Sequence, residues 1–161
     1  MGTLVVVADD PVAGTDKHNV AGAATPPPPG APYAGIGDYD YAGSMTDQLA
    51  DFFTIGGKAV AVVTSESSLD PGETAPPAGG HSGPAGSNFV PPSPAPVLAS
   101  LTITEPIGTG VPSATAGSTF AKAGGDALLL DGDSIDTCDG LNVPMNSTVT
   151  SSGQDFVTCS E

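Results

Sequence analysis

Residues 117–138 read GSTFAKAGGDALLLDGDSIDTC, and their centre is the short segment GDALLLDGD, residues 125–133. In this segment a glycine and one polar residue precede four apolar residues, and a turn with a polar end follows. Two other segments have the same order: GKAVAVVTS, residues 57–65, and GTLVVVADD, residues 2–10. Short apolar runs bounded by glycine and aspartate are typical of short strands between tight turns. The sequence therefore predicts three equivalent strand-turn units.

The three copies begin at Gly2, Gly57 and Gly125, so they are 55 and 68 positions apart. Unequal spacing means that the segments between the units differ in length. The pattern is short, and the alternative is that three unrelated strands share it by chance. A structure decides between these readings, because equivalent units must occupy equivalent places.

The rest of the chain is dominated by turn residues, with 22 glycines and 17 prolines. Residues 44–53, SMTDQLADFF, are predicted as the one short helix, because Ser44 can cap it and apolar residues recur along one face. The Pro/Gly-rich segments are predicted to be loops within a single domain of residues 1–161, with loop insertions at about 25–53 and 70–96. Strands are predicted over residues 3–8, 58–64, 97–104, 127–130, 147–150 and 155–159.

The composition limits the thickness of the core and the classes of partner that the protein can bind. Hydrophobic residues make up 39% of the chain but aromatic residues only 5%, so the core is expected to be thin and built from small side chains. The net charge is −15, with three Lys or Arg residues in total, all lysines. Such a surface repels phosphate backbones and anionic lipids, which argues against nucleic-acid binding and membrane-surface binding. Residues 1–10 lack the basic segment of a secretory signal and are predicted to form the first strand.

The repeat resembles the consensus of the PAAR-repeat proteins, the spike-tip proteins of contractile injection systems, which runs Gly-x-Pro-Ala-Ala-Arg-x-Gly-Asp. Gly125, Gly132 and Asp133 match that consensus, and residues 127–130 stand in place of the Pro-Ala-Ala-Arg tetrad. Gly57 with Lys58 begins the middle copy, and Asp10-Pro11, followed later by His18, is similar to the Gly-Asp-Pro opening of many members. Residues 117–120 look like the turn that precedes the family's last motif.

The chain departs from the family in lacking the tetrad itself and any arginine. It is therefore identified as a divergent member. The resemblance implies an all-β fold: a small cone or pyramid of short strands with pseudo-threefold repeats, long Pro/Gly-rich loops and at most one short helix.

The same resemblance implies a structural role rather than an enzymatic one. One such tip caps a trimeric spike and sharpens it for membrane puncture, with effector cargo or baseplate parts as further partners. The particle would be assembled in the cytoplasm and would act extracellularly at the target envelope, touching the target membrane only transiently. No Gly-x-Ser-x-Gly motif or phosphate-binding loop argues for catalysis.

Members of this family often hold a zinc ion near the apex, and the resemblance implies a Cys₂His₂ site here. Its ligands would be His18, His81, Cys138 and Cys159, with iron as another candidate ion. Two alternatives remain open from the residues alone. The two cysteines could form a disulfide, or the histidines could be ordinary surface residues.

A second function from another class is a secreted or surface adhesin or carbohydrate-binding module stabilised by calcium or a disulfide. Asp131, Asp133 and Asp136 resemble the start of a calcium loop, but the oxygen ligand and glycine expected next are replaced by Ile135 and Asp136. In the repeat reading, Gly132 and Asp133 instead form the turn that ends a strand, and the acids are mainly solvated.

Overall fold

The computed structural model describes residues 2–25, 31–69, 82–90, 97–103, 109–137 and 146–160. These residues form an all-β fold, as predicted. The strands are β1 Thr3–Leu4, β2 Pro11–Thr25, β3 Ala31–Asp47, β4 Ala50–Ile55, β5 Lys58–Val60, β6 Glu66–Leu69, β7 Ser82–Val90, β8 Val97–Ile103, β9 Thr109–Pro112, β10 Lys122–Ala123, β11 Asp126–Ala127, β12 Ile135–Thr137, β13 Thr148–Val149 and β14 Thr158–Cys159.

The three repeat units meet in a closed ring of backbone hydrogen bonds. The Val6 amide donates to the Leu129 carbonyl, the Leu129 amide to the Ala61 carbonyl, and the Ala61 amide to the Val6 carbonyl, each at 3.0 Å. Each copy is thus bonded to both others, and the residues involved are 55 and 68 positions apart, as in the sequence alignment. The predicted equivalence of the three units is confirmed. Isolated bridges repeat the pattern on either side: Val5–Leu130, Val7–Val60 and Val62–Leu128.

This central ring separates two hydrophobic cores, because successive residues of a strand point to opposite faces. Val5 and Val7 belong to one core, and Val6 belongs to the other. The hairpin-side core contains Val5, Val7, Ala50, Ile55, Val60, Val62, Ala123, Leu128 and Leu130. The sheet-side core contains Val6, Val12, Tyr41, Met45, Ala61, Leu129, Ile135 and Val149.

Three short antiparallel pairs accompany the hairpin-side core, one for each unit: β4–β5, β10–β11 and β1–β14. The first two turn through Gly56-Gly57 and Gly124-Gly125, and all four glycines have positive φ. The third pair has the two ends of the described chain at the corresponding place. The registers are equivalent in all three: Ile55 opposite Lys58, Ala123 opposite Asp126 and Cys159 opposite Thr3.

The larger sheet also follows the threefold pattern. Its strand order is β12-β9-β6-β3-β2-β13, and a bridge between Ser134 and Thr148 connects its two ends. The first repeat unit runs into β2, which pairs with β3, and the second runs into β6, which pairs with β9. The third runs into β12, which the Ser134–Thr148 bridge brings beside β13. Strands β7 and β8 add to β3 and β2 beside this ring. A closed ladder leaves fewer unpaired strand edges than an open sheet.

The predicted helix over residues 44–53 is wrong. Residues up to Asp47 continue β3, Gln48 reverses the chain with φ 54°, and β4 begins at Ala50. The reason is tertiary pairing: the Met45 amide donates to the Asp10 carbonyl at 3.0 Å, and the Asp9 amide donates to the Met45 carbonyl at 2.9 Å. Bonds to the first unit thus outweigh a weak local helix preference.

The loop predictions need a similar correction. Most of the predicted insertion 25–53 is strand, since β3 and β4 occupy it. In the predicted insertion 70–96, residues 82–90 form β7, and residues 70–81 and 91–96 lie outside the described part. The strand predicted over 97–104 corresponds to β8, whereas the other predicted strands are shorter ladders or isolated bridges in the structure.

Candidate functional site

The four predicted metal ligands are only partly covered by the structure. His18 lies in β2 opposite Gly37, and its side chain is outside the described part. His81 and Cys138 also lie outside the described residues. Cys159 lies in β14 as a half-buried free thiol. The described residues contain no cluster of three or more His, Cys, Asp or Glu side chains able to hold a metal ion. The four-ligand site therefore stays a prediction.

Cys159 has a packing role that the sequence reasoning did not foresee. Its pseudo-equivalents are Ile55 and Ala123, which are both buried in the hairpin-side core. The Cys159 side chain packs against that same core. A thiol is a small hydrophobic group in such a place, so the position is used for packing in all three units.

Each repeat unit ends in the same hydrogen-bonded turn. The last residue of the unit accepts, through a side-chain oxygen, a hydrogen bond from the backbone amide three positions earlier. Its own backbone amide donates a hydrogen bond to the carbonyl of that same earlier residue. The acidic or hydroxyl residue therefore closes the turn in both directions. The side-chain bonds are Val7 N to Asp10 Oδ2 at 2.7 Å, Val62 N to Ser65 Oγ at 3.0 Å and Leu130 N to Asp133 Oδ2 at 2.8 Å.

Asp10 also connects distant parts of the chain. Its side chain is fully buried, with 0% exposure. Its Oδ1 accepts the amides of Ser152 at 2.8 Å and Gly153 at 2.6 Å, and the Ser152 hydroxyl at 3.3 Å. Because Oδ2 already accepts the Val7 amide, both carboxylate oxygens are engaged. This carboxylate serves the structure by joining the first turn to residues near β14.

Asp131 and Asp133, in the acidic cluster after residue 130, accept backbone hydrogen bonds. Asp133 Oδ2 accepts the amides of Leu130 and Gly117, the second at 2.9 Å, and Asp131 Oδ1 accepts the Ser151 amide at 2.7 Å. Asp131, Asp133 and Asp136 are all described, and they form no group suited to a metal ion. The predicted turn at Gly132 and Asp133 is confirmed, and Asp133 is only half-exposed because its carboxylate closes that turn.

Asp136 differs from the other acids, because its Oδ1 is buried and has no hydrogen-bond partner within the described structure. It lies beside a cleft of about 300 Å³. The polar groups of its wall are four hydroxyl side chains and the Asp136 carboxyl group. The lining residues are Ser113, Ala114, Thr115, Ser134, Ile135, Asp136 and Ser147.

The surface carries three exposed phenylalanines at equivalent positions, which were not predicted from the sequence. Phe52, Phe120 and Phe156 are 70%, 84% and 65% exposed. Each stands three residues before an equivalent position of the short pairs, namely Ile55, Ala123 and Cys159. The signal was present in the sequence, since Phe-x-x-x-Gly-Gly occurs at residues 52–57 and 120–125. Extending the nine-residue alignment backwards along the chain would have found it.

No protein-family model, curated protein or solved structure matches this chain. In the part of the chain that the structure describes, no helix has the length and apolar character needed to cross a membrane.

Proposed function

We propose that this protein is the structural tip of a contractile injection system or phage-like tail, one chain capping one trimeric spike. The observation that supports this proposal is the ring formed by Val6, Ala61 and Leu129, with which a single chain builds three equivalent units about one axis. A monomer normally has no rotational symmetry to offer a trimer. A pseudo-threefold monomer can contact all three subunits of a trimer in the same way.

The composition fits a mechanical role. Among the described side chains, the two cores are built almost entirely from aliphatic groups and contain one aromatic residue, Tyr41. Small side chains and tight glycine turns allow strands to close over a narrow cross-section. The acidic groups at the turns are used to bond backbone amides, as at Asp10 and Asp133. The proposed function is therefore the transmission of force rather than catalysis, and the tip acts outside the cell after assembly in the cytoplasm.

The decisive experiment measures stoichiometry with a trimeric spike. The probe is the purified spike protein encoded in the same gene cluster, mixed with this chain and analysed by native mass spectrometry. The expected product contains one copy of this chain for each spike trimer. A matched control is the same spike without its distal segment, to which the chain should not bind. Binding of three copies per trimer, or no binding, would contradict the proposed function.

A structural zinc ion is part of the same proposal. Its ligands would be His18 of β2, Cys159 of β14, His81 and Cys138, and by joining segments distant in the chain the ion would add stability. Metal analysis of the purified protein should give about one zinc per chain. Loss of the metal in a Cys138→Ser variant is expected, whereas a metal-free wild-type protein would remove zinc from the proposal.

The cleft beside Asp136 favours one other function, a module that binds a small polar ligand such as a sugar. The cleft is lined by Asp136 and by the hydroxyl residues Ser113, Thr115, Ser134 and Ser147. A glycan array separates the two functions. Binding that Asp136→Ala abolishes, together with indifference to trimeric spikes, would favour the binding module over the spike tip.

A further inference from the structure

The phenylalanines of this protein are placed unusually for a chain with few aromatic residues. The sequence contains five phenylalanines, and among the side chains that the structure describes neither hydrophobic core contains one. Four of them, Phe52, Phe53, Phe120 and Phe156, are exposed to between 40% and 84%. A single exposed apolar residue needs no explanation, but repeated exposure of the largest apolar side chains marks an interaction surface.

Three of these rings are related by the pseudo-threefold arrangement. Phe120 precedes Ala121, which packs against the hairpin-side core, and Phe156 precedes Val157, which does the same. Both phenylalanines lie in bends just before the short strands, and their high exposure shows that their rings face solvent rather than that core. Phe52 occupies the corresponding place in β4, where the ladder is irregular between Ala50 and Thr54. The Phe52 ring also lies near Gly124, in the turn of the β10–β11 pair. A Cβ added at Gly124 would be 3.0 Å from Phe52 Cζ.

We infer that Phe52, Phe120 and Phe156 are three equivalent anchors that insert into three equivalent apolar pockets of a protein partner with threefold symmetry. This inference rests on the proposed function and deepens it, since it names the surface and the chemistry of the contact. Aromatic side chains are the residues that most often dominate the binding energy of protein interfaces. Three identical pockets around an axis are what a homotrimer provides.

The net charge of the chain favours such a protein partner over a second copy of this chain or an anionic lipid surface. The chain carries a net charge of −15, so two copies placed face to face would repel each other. Exposed Asp51 and Asp155 directly precede two of the anchors, whereas Thr119 precedes the third. An anionic lipid surface would meet the same repulsion. The partner is therefore expected to carry basic groups around its apolar pockets.

The experiment compares the wild-type chain with a triple variant, Phe52→Ser, Phe120→Ser and Phe156→Ser, in binding to the trimeric spike of the same gene cluster. Each ring contributes to binding in the same way, so each single variant should raise the Kd about tenfold and the triple variant at least about a hundredfold. Val111→Ser is the matched control, because Val111 is 43% exposed and lies outside this set. Its Kd should equal that of the wild type.

Circular dichroism and urea unfolding of every variant show whether the fold is retained, and the single variants carry the comparison if the triple variant does not fold. Wild-type binding that the variants leave unchanged would overturn the anchor inference and leave the spike-tip function standing. Absence of wild-type binding would overturn both.

Two further measurements test the other occupants. A wild-type dimer in sedimentation equilibrium that the triple variant converts to monomers would assign the rings to self-association and overturn the inference. Binding to phosphatidylcholine vesicles that the triple variant loses would assign them to lipid and overturn it as well. A monomer that ignores vesicles and binds the spike through the three rings is the expected result.

Discussion

At the scale of single residues, one device recurs at the end of each central strand. Asp10, Ser65 and Asp133 each accept a backbone amide three residues earlier. A buried amide without a partner costs about 1–3 kcal/mol, so the side-chain oxygen removes a penalty that the tight turn would otherwise impose. The aspartates at these turns are thus hydrogen-bonded to the backbone, so they are not merely solvated surface charges.

Asp10 is expected to be the most sensitive of the three positions. Replacing it with alanine leaves the amides of Val7, Ser152 and Gly153 without their acceptor, so Asp10→Ala should lower the free energy of unfolding by about 3 kcal/mol or more. Urea unfolding monitored by circular dichroism measures the loss. Exposed Asp155→Ala should change stability by less than about 0.5 kcal/mol. Equal effects of the two substitutions would show that the buried network contributes nothing.

Asp133 allows a test of whether the charge or only the oxygen matters. Ser65 performs the same bond with a hydroxyl at 3.0 Å, so Asp133→Ser should retain an acceptor for Leu130, whereas Asp133→Ala should not. We expect the serine variant to be more stable than the alanine variant by about 1 kcal/mol. The same unfolding experiment compares them. If serine gives no advantage over alanine, then the carboxylate, including its bond to Gly117, is what the turn requires.

At the scale of elements, close approach between strands keeps the sheet ring together. A Cβ on Gly14 of β2 would lie 2.3 Å from Ser147 Cα, just before β13 begins. The obstacle is backbone, which cannot rotate away as a side chain can. The absence of a side chain at residue 14 therefore permits β2 and β13 to pair, and this pairing completes the threefold ladder.

Gly14→Ala should consequently separate β2 from β13 and destabilise the fold by about 1–3 kcal/mol, the usual range for overpacking. Ala13→Ser is the control, because Ala13 is exposed in the same strand and pairs with Thr148. Urea midpoints compare the two variants, and amide exchange of Val149 reports on the ladder directly. A Gly14→Ala protein with wild-type stability and Val149 protection would show that the strands can shift without cost.

The elements also show where sequence reasoning worked and where it did not. Residues 2–10, 57–65 and 125–133 revealed the repeat because a strand with fixed turns has a strict local pattern. The helix prediction for residues 44–53 was wrong because their helix-like pattern is local. The hydrogen bonds that hold Met45 in β3 come from the first unit. The additional bonds of these aspartates could not be foreseen, since their partners, such as Ser152 for Asp10, are distant in the chain. Of the predicted metal ligands, only Cys159 has a described side chain, so the sequence remains the main argument for that site.

At the scale of the whole molecule, three units share one ring, but their connections differ in kind. Two of the short pairs turn through adjacent glycines, and the third pair, β1–β14, is open because the described chain has its two ends there. By the register of the pairs, Ser160 and Gly2 occupy the places of Gly56 and Gly57. The fold is therefore expected to depend on the ring itself and not on which of the three pairs is open.

A circular permutant tests this expectation. Residue 160, changed by Ser160→Gly, is joined directly to Gly2, and new ends are opened between Gly56 and Gly57, where an added Cβ would contact nothing within 4 Å. The permutant should fold with a circular dichroism spectrum like that of the wild type, because exposed turns tolerate new chain ends. A second permutant opened between Val6 and Val7 should not fold, since it interrupts the hydrogen-bonded ring within both cores. If the first permutant failed to fold, or if both folded equally well, the central ring would not be the element that organises the molecule.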